Sequence, residues 1–358
     1  MREFTLEKGS FTTIDIARAA DVPRSTAQDW INRLTEEGCI VQKGEARGRK
    51  AARYMTLSAV PSSTCRRIFT TTDQDEVEIY HECMSAGCAA FCVHHHHLAG
   101  GAVTSVQRDG TLLRERTRLG GGEISIGLYP ASAVGVSRVW REGDHIVQRI
   151  RCIGGPAYSL TDMMGQADGV CDVRVVRRGD VVEGEVHTHD LAHCAIGVDD
   201  TDSAEGGATF AVSLALLQHL INLEGVMPIT HRVVMLDPHH RPRTAGNSCS
   251  FIEIAVPRPM LERVEDAALR FVSGEALSPE WGIAVRCGFL IPPLLREFGA
   301  AVRAGGVDRD RAEAVAGACG ARLHGGNGVI GGLAALAFPG CGDRVLLDPS
   351  TTIPMDTD

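Results

Sequence analysis

The sequence predicts a multidomain protein of the α+β class. Its 358 residues are enough for two or three domains, and its 44% apolar and 23% charged residues are typical of a globular protein. Segments with helical spacing of apolar residues alternate with short runs of β-strand pattern, and glycine-rich turns separate them. These observations predict a helical domain over residues 1–60, an α+β domain over residues 65–190 and an α/β domain over residues 195–358.

Composition argues against secreted and membrane proteins. No run of about 18 apolar residues is present, and Met1 precedes a polar helix instead of a signal peptide. The twelve cysteines are irregularly spaced, which without an export signal indicates cytosolic thiols. We therefore expect a cytoplasmic protein with no membrane partner, and the composition leaves a homodimer open.

The first 60 residues have the pattern of a winged helix-turn-helix. Pro23 is suited to the start of a third helix and Gly38 to its end. Three helices and a two-stranded hairpin are predicted at residues 1–8, 13–19, 24–37, 39–43 and 53–57. The residues predicted for the buried face of the third helix are Ala27, Trp30, Ile31 and Leu34.

A winged helix places its third helix in the major groove of duplex DNA, while cations of the wing contact phosphates. This segment carries a net charge of +2 and the rest of the chain −11, so we expect DNA to contact only the N-terminal segment. Many winged helices bind only proteins, which is the alternative. The candidate base contacts are Arg24, Ser25, Thr26, Gln28 and Asn32. The candidate phosphate contacts are Lys43, Arg47, Arg49, Lys50 and Arg53.

Residues 65–190 show an α+β pattern that resembles no family known to us. Strands are predicted at residues 76–80, 102–107, 123–129, 145–152, 171–177 and 181–186. Helices are predicted at residues 84–98 and 159–166.

The first of these helices carries Cys88, Cys92, His95 and His96 on one face. Structural zinc usually takes its ligands from separated pairs in different elements, and this stripe lies on a single helix. We therefore favour buried thiols and surface histidines over a metal site there.

A second cluster contains His187, His189 and His193, with Asp190 and Cys194 beside them. His187 and His189 share one face of an extended segment, and imidazole combined with carboxylate or thiolate suits Zn²⁺ or Fe²⁺. A transition-metal site and a polar connection between domains are both open for this cluster.

Residues 195–207, AIGVDDTDSAEGG, carry the strongest functional signal. A short apolar run ends in Asp199, Asp200 and Asp202, and a segment with helical spacing follows. Mg²⁺ is held by one or two carboxylates together with substrate phosphates, so these aspartates are the candidate metal ligands. Backbone N–H groups before a helix bind anions, which makes Thr201, Ser203, Gly206 and Gly207 candidate phosphate contacts. The alternative is an acidic turn in which Ser203 or Thr209 caps the helix.

A second candidate phosphate-binding segment follows a strand predicted at residues 233–236. Arg241 and Arg243 are suited to bidentate phosphate contact, and the alternative is a solvated His/Arg/Pro turn. Later elements are predicted at residues 249–256, 257–272, 282–285, 308–317 and 332–338. The further candidate ligand contacts in this segment are Thr244, Gly246 and Asn247.

Three blocks resemble the archaeal agmatidine synthase family, which uses ATP to attach agmatine to the wobble cytidine of an isoleucine tRNA. Residues 197–203, GVDDTDS, resemble the start of its kinase-like domain. Residues 236–247 are similar to its Asn-Pro…Lys-Thr-Arg-Gly-Asn run, and residues 325–335, GGNGVIGGLAA, resemble its late glycine-rich segment. The resemblance implies an α/β kinase-like domain with a ferredoxin-like tail that binds ATP and Mg²⁺.

The chain departs from that family at several positions. Asp237, Arg243 and Ala245 replace its Asn, Lys and Arg, and Ala208 replaces a Cys. We expect no room after Asp358 for its oligonucleotide-binding barrel and zinc ribbon, so ATP chemistry is better supported than a tRNA substrate. The methanogenesis marker family numbered eleven, of unknown biochemical role, is an alternative relative.

We therefore predict an ATP- and Mg²⁺-dependent phosphoryl or nucleotidyl transfer. Asp199, Asp200 and Asp202 would hold the metal, and Arg243 would neutralise charge that develops in the transition state. One alternative is a transcriptional regulator whose C-terminal domain senses a nucleotide or metabolite. Another is a methanogenesis-associated maturation factor.

Overall fold

The computed structural model describes residues 1–44, 51–57, 63–241 and 246–354. These residues form a mixed α+β fold with a curled sheet of 13 strands and a separate two-stranded hairpin, which confirms the predicted class. Within these ranges no helix is long and apolar enough to cross a membrane.

The N-terminal elements follow the predicted order of three helices and an antiparallel hairpin. They are α1 (Arg2–Lys8), α2 (Thr13–Ala20), α3 (Arg24–Glu36), β1 (Ile40–Gly44) and β2 (Arg53–Thr56). The core contains Ala27 and Ile31 of α3. Trp30 was expected beside them but is 42% exposed, because it lies about 100° around the helix from Ile31. The winged-helix assignment itself remains a prediction.

The middle of the chain is mostly antiparallel strand. Its elements are β3 (Cys65–Asp73), β4 (Glu76–Cys83), α4 (Ala86–Ala99), β5 (Val103–Asp109), β6 (Leu112–Arg118), β7 (Gly120–Gly121), β8 (Val134–Glu142), β9 (His145–Ile153), α5 (Gly155–Asp162), β10 (Val170–Arg178) and β11 (Val181–Asp199). The strand expected at residues 123–129 is wrong, since Ile124 and Ile126 form only isolated bridges. That segment lies between Gly122 and Pro130, and its alternating pattern has no continuous partner strand.

β11 joins the two halves of the large sheet. As far as His189 it pairs with β9 and β10. Beyond that point it pairs briefly with β3 and then with two later strands, β13 (Ser248–Val256) and β14 (Gly282–Cys287). The boundary expected near residue 190 falls inside this 19-residue strand, so β11 runs through both predicted domains.

The remaining elements place helices on both faces of a five-stranded antiparallel part of the sheet. They are α6 (Thr209–Leu220), β12 (Met227–Met235), α7 (Leu261–Glu275), α8 (Pro293–Ala304), α9 (Arg309–Cys319), β15 (Ala321–Gly325), α10 (Val329–Ala335) and α11 (Asp343–Leu347). Ile196 and Val198 of β11 pack under α6 and α7. Ala195 packs on the opposite face, under α8, α9 and α10. β11 is the central strand, so whatever follows it lies between the two helical layers.

Candidate functional site

The acidic loop begins where β11 ends and leads into α6. Asp199 is the last residue of β11. Side chains alternate along a strand, so Asp199 shares the face of Ala195, the face that α10 covers. The loop therefore lies at the C-terminal end of the central strand, between the N-termini of α6 and α10.

Glycines allow α10 to lie directly against the end of β11. A Cβ atom on Gly331 would overlap the Asp199 carboxylate, and one on Gly197 would overlap the carbonyl of Gly332. A Cβ on Gly328 would lie 2.7 Å from the Asp199 carbonyl oxygen. The structure thus brings the late glycine-rich segment of the sequence to the acidic loop.

Glu280 fixes this contact from a third segment. Its carbonyl accepts a hydrogen bond from the Gly328 N–H at 2.7 Å, and its carboxylate accepts one from the Asn327 N–H at 3.0 Å. The Leu277 N–H, from the same segment, donates to the Thr201 carbonyl at 2.8 Å. Three segments that are separate in sequence therefore meet at the loop.

The loop itself has an unusual backbone. Asp200 has φ 55°, a left-handed conformation that non-glycine residues adopt infrequently and that occurs preferentially at functional sites. Gly206 and Gly207 have φ 153° and 88°, which side chains disfavour. Ser203 and Gly206 exchange backbone hydrogen bonds of 2.9 and 3.2 Å, which closes a tight turn.

Thr209 and Thr201 hold the loop in place through hydrogen bonds. The Thr209 hydroxyl donates to Asp202 Oδ1 at 3.0 Å and accepts from the Thr201 N–H at 3.2 Å. Thr201 is buried, so its hydroxyl serves the fold rather than an open site. The N-cap of α6 is Ala208 and no side chain caps the helix there, in contrast to the alternative of a Ser203 or Thr209 cap. The amides of the first turn of α6 therefore remain suited to an anion.

The clustered carboxylates of the loop raise the pKa values of Asp199 and Asp200. Burial, followed by the charges of Asp200 and Asp202, raises the pKa of Asp199 to about 8, against a hydrogen bond from the Asp200 N–H. Burial, followed by Asp202 and Glu280, also raises the pKa of Asp200, while His240 lowers it. In the described part of the chain no basic side chain forms an ion pair with Asp199 or Asp200. A bound cation would reverse both shifts.

We expect these shifts to appear as a pH dependence of stability. The Asp199 carboxyl ionises near pH 4 in the unfolded chain but near pH 8 in the fold, so stability in EDTA should fall between those values and then level off. Asp199→Asn cannot ionise and should lack this fall, gaining about 1–3 kcal/mol at pH 8 for a half-buried group. Urea unfolding of both proteins at pH 5, 7 and 9 measures the difference. Parallel pH profiles would show that Asp199 ionises normally.

His240, which precedes the predicted Arg241 in the chain, is close enough to the loop for its charge to act on Asp200. Arg241 and Gly246 are exposed, whereas Arg243 and Thr244 lie outside the described residues. Asn247 donates to the Asp237 carbonyl at 2.9 Å, which holds the two ends of the segment together.

The three histidines predicted to bind a metal have different surroundings. His193 is buried and its Nε2 lies 2.8 Å from Glu253 Oε1, which also bonds Arg114 at 2.8 Å. Burial would raise the pKa of Glu253, but Arg114 and His193 outweigh it and lower the pKa to about 2. His187 is buried as well, whereas His189 is exposed and stacks on His145.

Two groups of three metal-binding side chains occur among the described residues. Their ligand atoms all lie within 4.8 Å of one another, and the groups are Cys83, Cys88 and Cys92, and His145, Cys171 and His189. Neither group contains an aspartate of the loop, so any Mg²⁺ there would rely on substrate phosphates for further ligands. Of the predicted stripe on α4, Cys88 and Cys92 belong to a cluster. His95 instead accepts from the Ala133 N–H at 3.0 Å, and His96 is paired with Glu115.

The predicted DNA contacts of α3 are only partly available. Arg24, Ser25 and Asn32 are exposed and Thr26 is half-buried. Gln28 accepts from the Thr13 hydroxyl at 2.7 Å and donates to Asn32 at 2.9 Å, so it joins α2 to α3.

The basic residues of the hairpin also have internal partners where they are described. The Lys43 ammonium donates to the Gly9 carbonyl at 3.2 Å, and Arg53 Nε donates to the Ser10 hydroxyl at 2.7 Å. Arg47, Arg49 and Lys50 lie outside the described residues.

If the hairpin does bind duplex DNA, its affinity should fall with salt by about 0.9 log units per phosphate contact for each tenfold rise. Replacing Arg47, Arg49 and Lys50 by glutamine should then flatten the slope by roughly 2.7. Arg18→Gln, an exposed change on α2, is the control. Fluorescence anisotropy at several salt concentrations measures the slope, and DNA binding that is undetectable or insensitive to salt would leave this domain as a protein-contact module.

Two cavities lie away from the acidic loop. The larger, of about 380 Å³, is lined by Arg108, Arg114, Arg232 and Glu253 among others. The smaller, of about 170 Å³, shares Arg114 with it and adds Arg116. Neither is lined by a residue of the acidic loop.

Comparisons with known proteins give partial likenesses. No protein-family model matches the chain. An uncharacterized protein of Methanocaldococcus jannaschii is 25% identical over 276 residues, which span 73% of this chain and 89% of that protein.

Among solved structures, the complex of TiaS with an isoleucine tRNA and ATP matches with a TM-score of 0.37 and 22% identity, over 41% of this chain and 36% of TiaS. A tRNA fluorescent labeling enzyme gives 0.37 and 21%, over 40% of this chain and 36% of that enzyme. Apo TiaS, a tRNA agmatidine synthetase, gives 0.35 and 21%, over 40% of this chain and 35% of the synthetase. The chain spans little more than a third of the length of each.

Sequence reasoning missed Glu280 and His240, which act on Asp200, and Thr209 as the support of Asp202. Thr209 comes shortly after the two glycines and begins an apolar helix. A hydroxyl at that position could have been predicted to hydrogen-bond the acidic loop. Glu280 lies in a turn before β14 and has no local pattern that marks it.

Proposed function

We propose that the protein binds ATP with Mg²⁺ at the acidic loop and transfers a phosphoryl or nucleotidyl group from it. The observation that carries this proposal is the convergence of three separate segments on Asp199: the acidic loop, the Glu280 turn and the glycine-rich start of α10. Such a convergence needs close backbone approaches, which a simple surface turn does not require.

The electrostatics favour a cationic ligand accompanied by an anion. Burial, and after it the charges of the neighbouring carboxylates, raise the pKa values of Asp199 and Asp200, and Mg²⁺ would offset both effects. The uncapped N-terminus of α6 supplies N–H groups beside the same carboxylates, whereas the Gly206 N–H is donated to the Ser203 carbonyl. Mg²⁺ with a polyphosphate provides both charges in one ligand.

The residues have distinct roles in this proposal. Asp200 and Asp202 would bind Mg²⁺. Asp199, at the end of β11, would be a further ligand or would position the ion through its charge. Arg241 and Arg243, which follow His240 in the sequence, would contact phosphate oxygens and offset the charge that develops during transfer. The sequence blocks that resemble agmatidine synthase agree with these roles and leave the acceptor open.

The test is product release. Full-length protein is incubated with ATP, Mg²⁺ and an acceptor panel that includes agmatine, other amines and tRNA, and phosphate and pyrophosphate are measured. We expect release that needs Mg²⁺ and that increases with one acceptor. ATP binding without release across the panel would instead support a nucleotide-sensing regulator, in which ATP and DNA alter each other's affinity by the same factor.

A further inference from the structure

Cysteines converge where the β3–β4 hairpin meets the start of α4. The sulfur atoms of Cys83, Cys88 and Cys92 all lie within 4.8 Å of one another. Cys83 is the last residue of β4, and Cys88 and Cys92 lie one helical turn apart on the face of α4 that packs against it. All three are free thiols.

Cys65 places a fourth thiol beside these three, outside the group whose sulfur atoms all lie within 4.8 Å of one another. It begins β3 directly opposite Cys83 in the antiparallel pair. Opposite residues on one face of such a pair have Cβ atoms about 4.5–5.5 Å apart, so the two thiols are neighbours. The register shifts between Cys65 and Arg67, a bulge of the kind that re-aims side chains.

The stripe on α4 alone argued against zinc, because structural zinc usually takes ligands from two different elements. Cys88 and Cys92 alone form a stripe on one helix, but the hairpin adds a second pair from a different element. Structural zinc takes four thiolates in this two-pair form. By contrast, the buried Cys152 donates to the Val182 carbonyl at 3.5 Å and belongs to neither metal-competent group found among the described residues.

Neighbouring contacts fix the helix and leave the cysteines as the ligands. Cys88 lies in the first turn of α4, where its N–H donates to the Ser85 hydroxyl at 3.1 Å. His96 is paired with Glu115 and His95 with the Ala133 N–H, so neither is needed as a ligand.

We propose that Cys65, Cys83, Cys88 and Cys92 bind one zinc ion in a tetrahedral all-sulfur site. The ion would fasten α4 to the β3–β4 hairpin. Four soft thiolate ligands in tetrahedral geometry suit zinc, and binding would release the thiol protons to solvent.

Elemental analysis of full-length protein, purified with a reductant and without chelator, tests the site. We expect about one zinc per chain in the wild type and in Cys152→Ala, the buried-thiol control. Cys88→Ser and Cys92→Ser should lose at least nine-tenths of it. Because a variant can misfold, the reduced, metal-free wild type is also titrated with Co²⁺, which should give a thiolate-to-cobalt charge-transfer band that Zn²⁺ abolishes.

Three results would overturn the proposal. The first is wild-type protein that contains no zinc and gives no cobalt band. The second is zinc retained in both serine variants. The third is iron with acid-labile sulfide in place of zinc, which would make the four cysteines the ligands of an iron–sulfur cluster.

Discussion

Asp200→Asn and Asp202→Asn are each expected to lower the affinity for ATP in the presence of Mg²⁺ about 100-fold or more. Changes beside a metal ligand typically cost 10–100-fold in metal affinity, and these changes remove the ligand charge itself. Asparagine is the informative replacement. It tolerates the left-handed backbone of Asp200, and at position 202 its carbonyl oxygen still accepts the Thr209 hydroxyl.

Asp21→Asn is a matched control for Asp200→Asn. Asp21 also has a left-handed backbone, with φ 51°, and it lies exposed at the end of α2. We expect the control to bind ATP as the wild type does, measured by calorimetry. Wild-type affinity in both loop variants would show that the nucleotide, if bound, is held elsewhere.

Gly331→Ala is expected to destabilise the protein by about 1–3 kcal/mol and to abolish Mg²⁺-dependent ATP binding. The added methyl group would overlap the Asp199 carboxylate, so either α10 or Asp199 must move, at the cost of an overpacked site. Urea unfolding measures the stability, and calorimetry measures the binding.

Gly317→Ala on α9 is the paired control, because an added Cβ there meets no atom within 4 Å. Alanine is the better helix former, so this change should be neutral or stabilise the fold by up to about 1 kcal/mol. Equal stability and equal ATP binding in the two variants would contradict the close contact between α10 and Asp199.

Local patterns predicted much of the C-terminal half from the sequence. β13 and α9 were expected within about two residues of their observed bounds, because apolar positions mark their buried faces. β6 was missed because two of its inward side chains are Glu115 and Thr117, which are buried and polar. A pattern of apolar residues does not reveal a buried face that is lined by acids and hydroxyls.

Only the acidic loop of the candidate site could be predicted from the sequence, for a similar reason. The acidic loop is a local cluster, and its glycines and hydroxyls mark it without tertiary information. Glu280 and the proposed zinc ligand Cys65 act through pairings that only the folded sheet creates. The stripe of Cys88 and Cys92 was visible in the sequence, where buried thiols were favoured over a metal site, and its proposed partners lie on another element.

The central claim is that the acidic loop binds ATP through Mg²⁺. Calorimetric titration of full-length wild-type protein with ATP, once in Mg²⁺ and once in EDTA at the same ionic strength, tests it most directly. We predict one ATP bound per chain in Mg²⁺ and at least tenfold weaker binding in EDTA. Equal affinity under both conditions, or no binding in Mg²⁺, would contradict it.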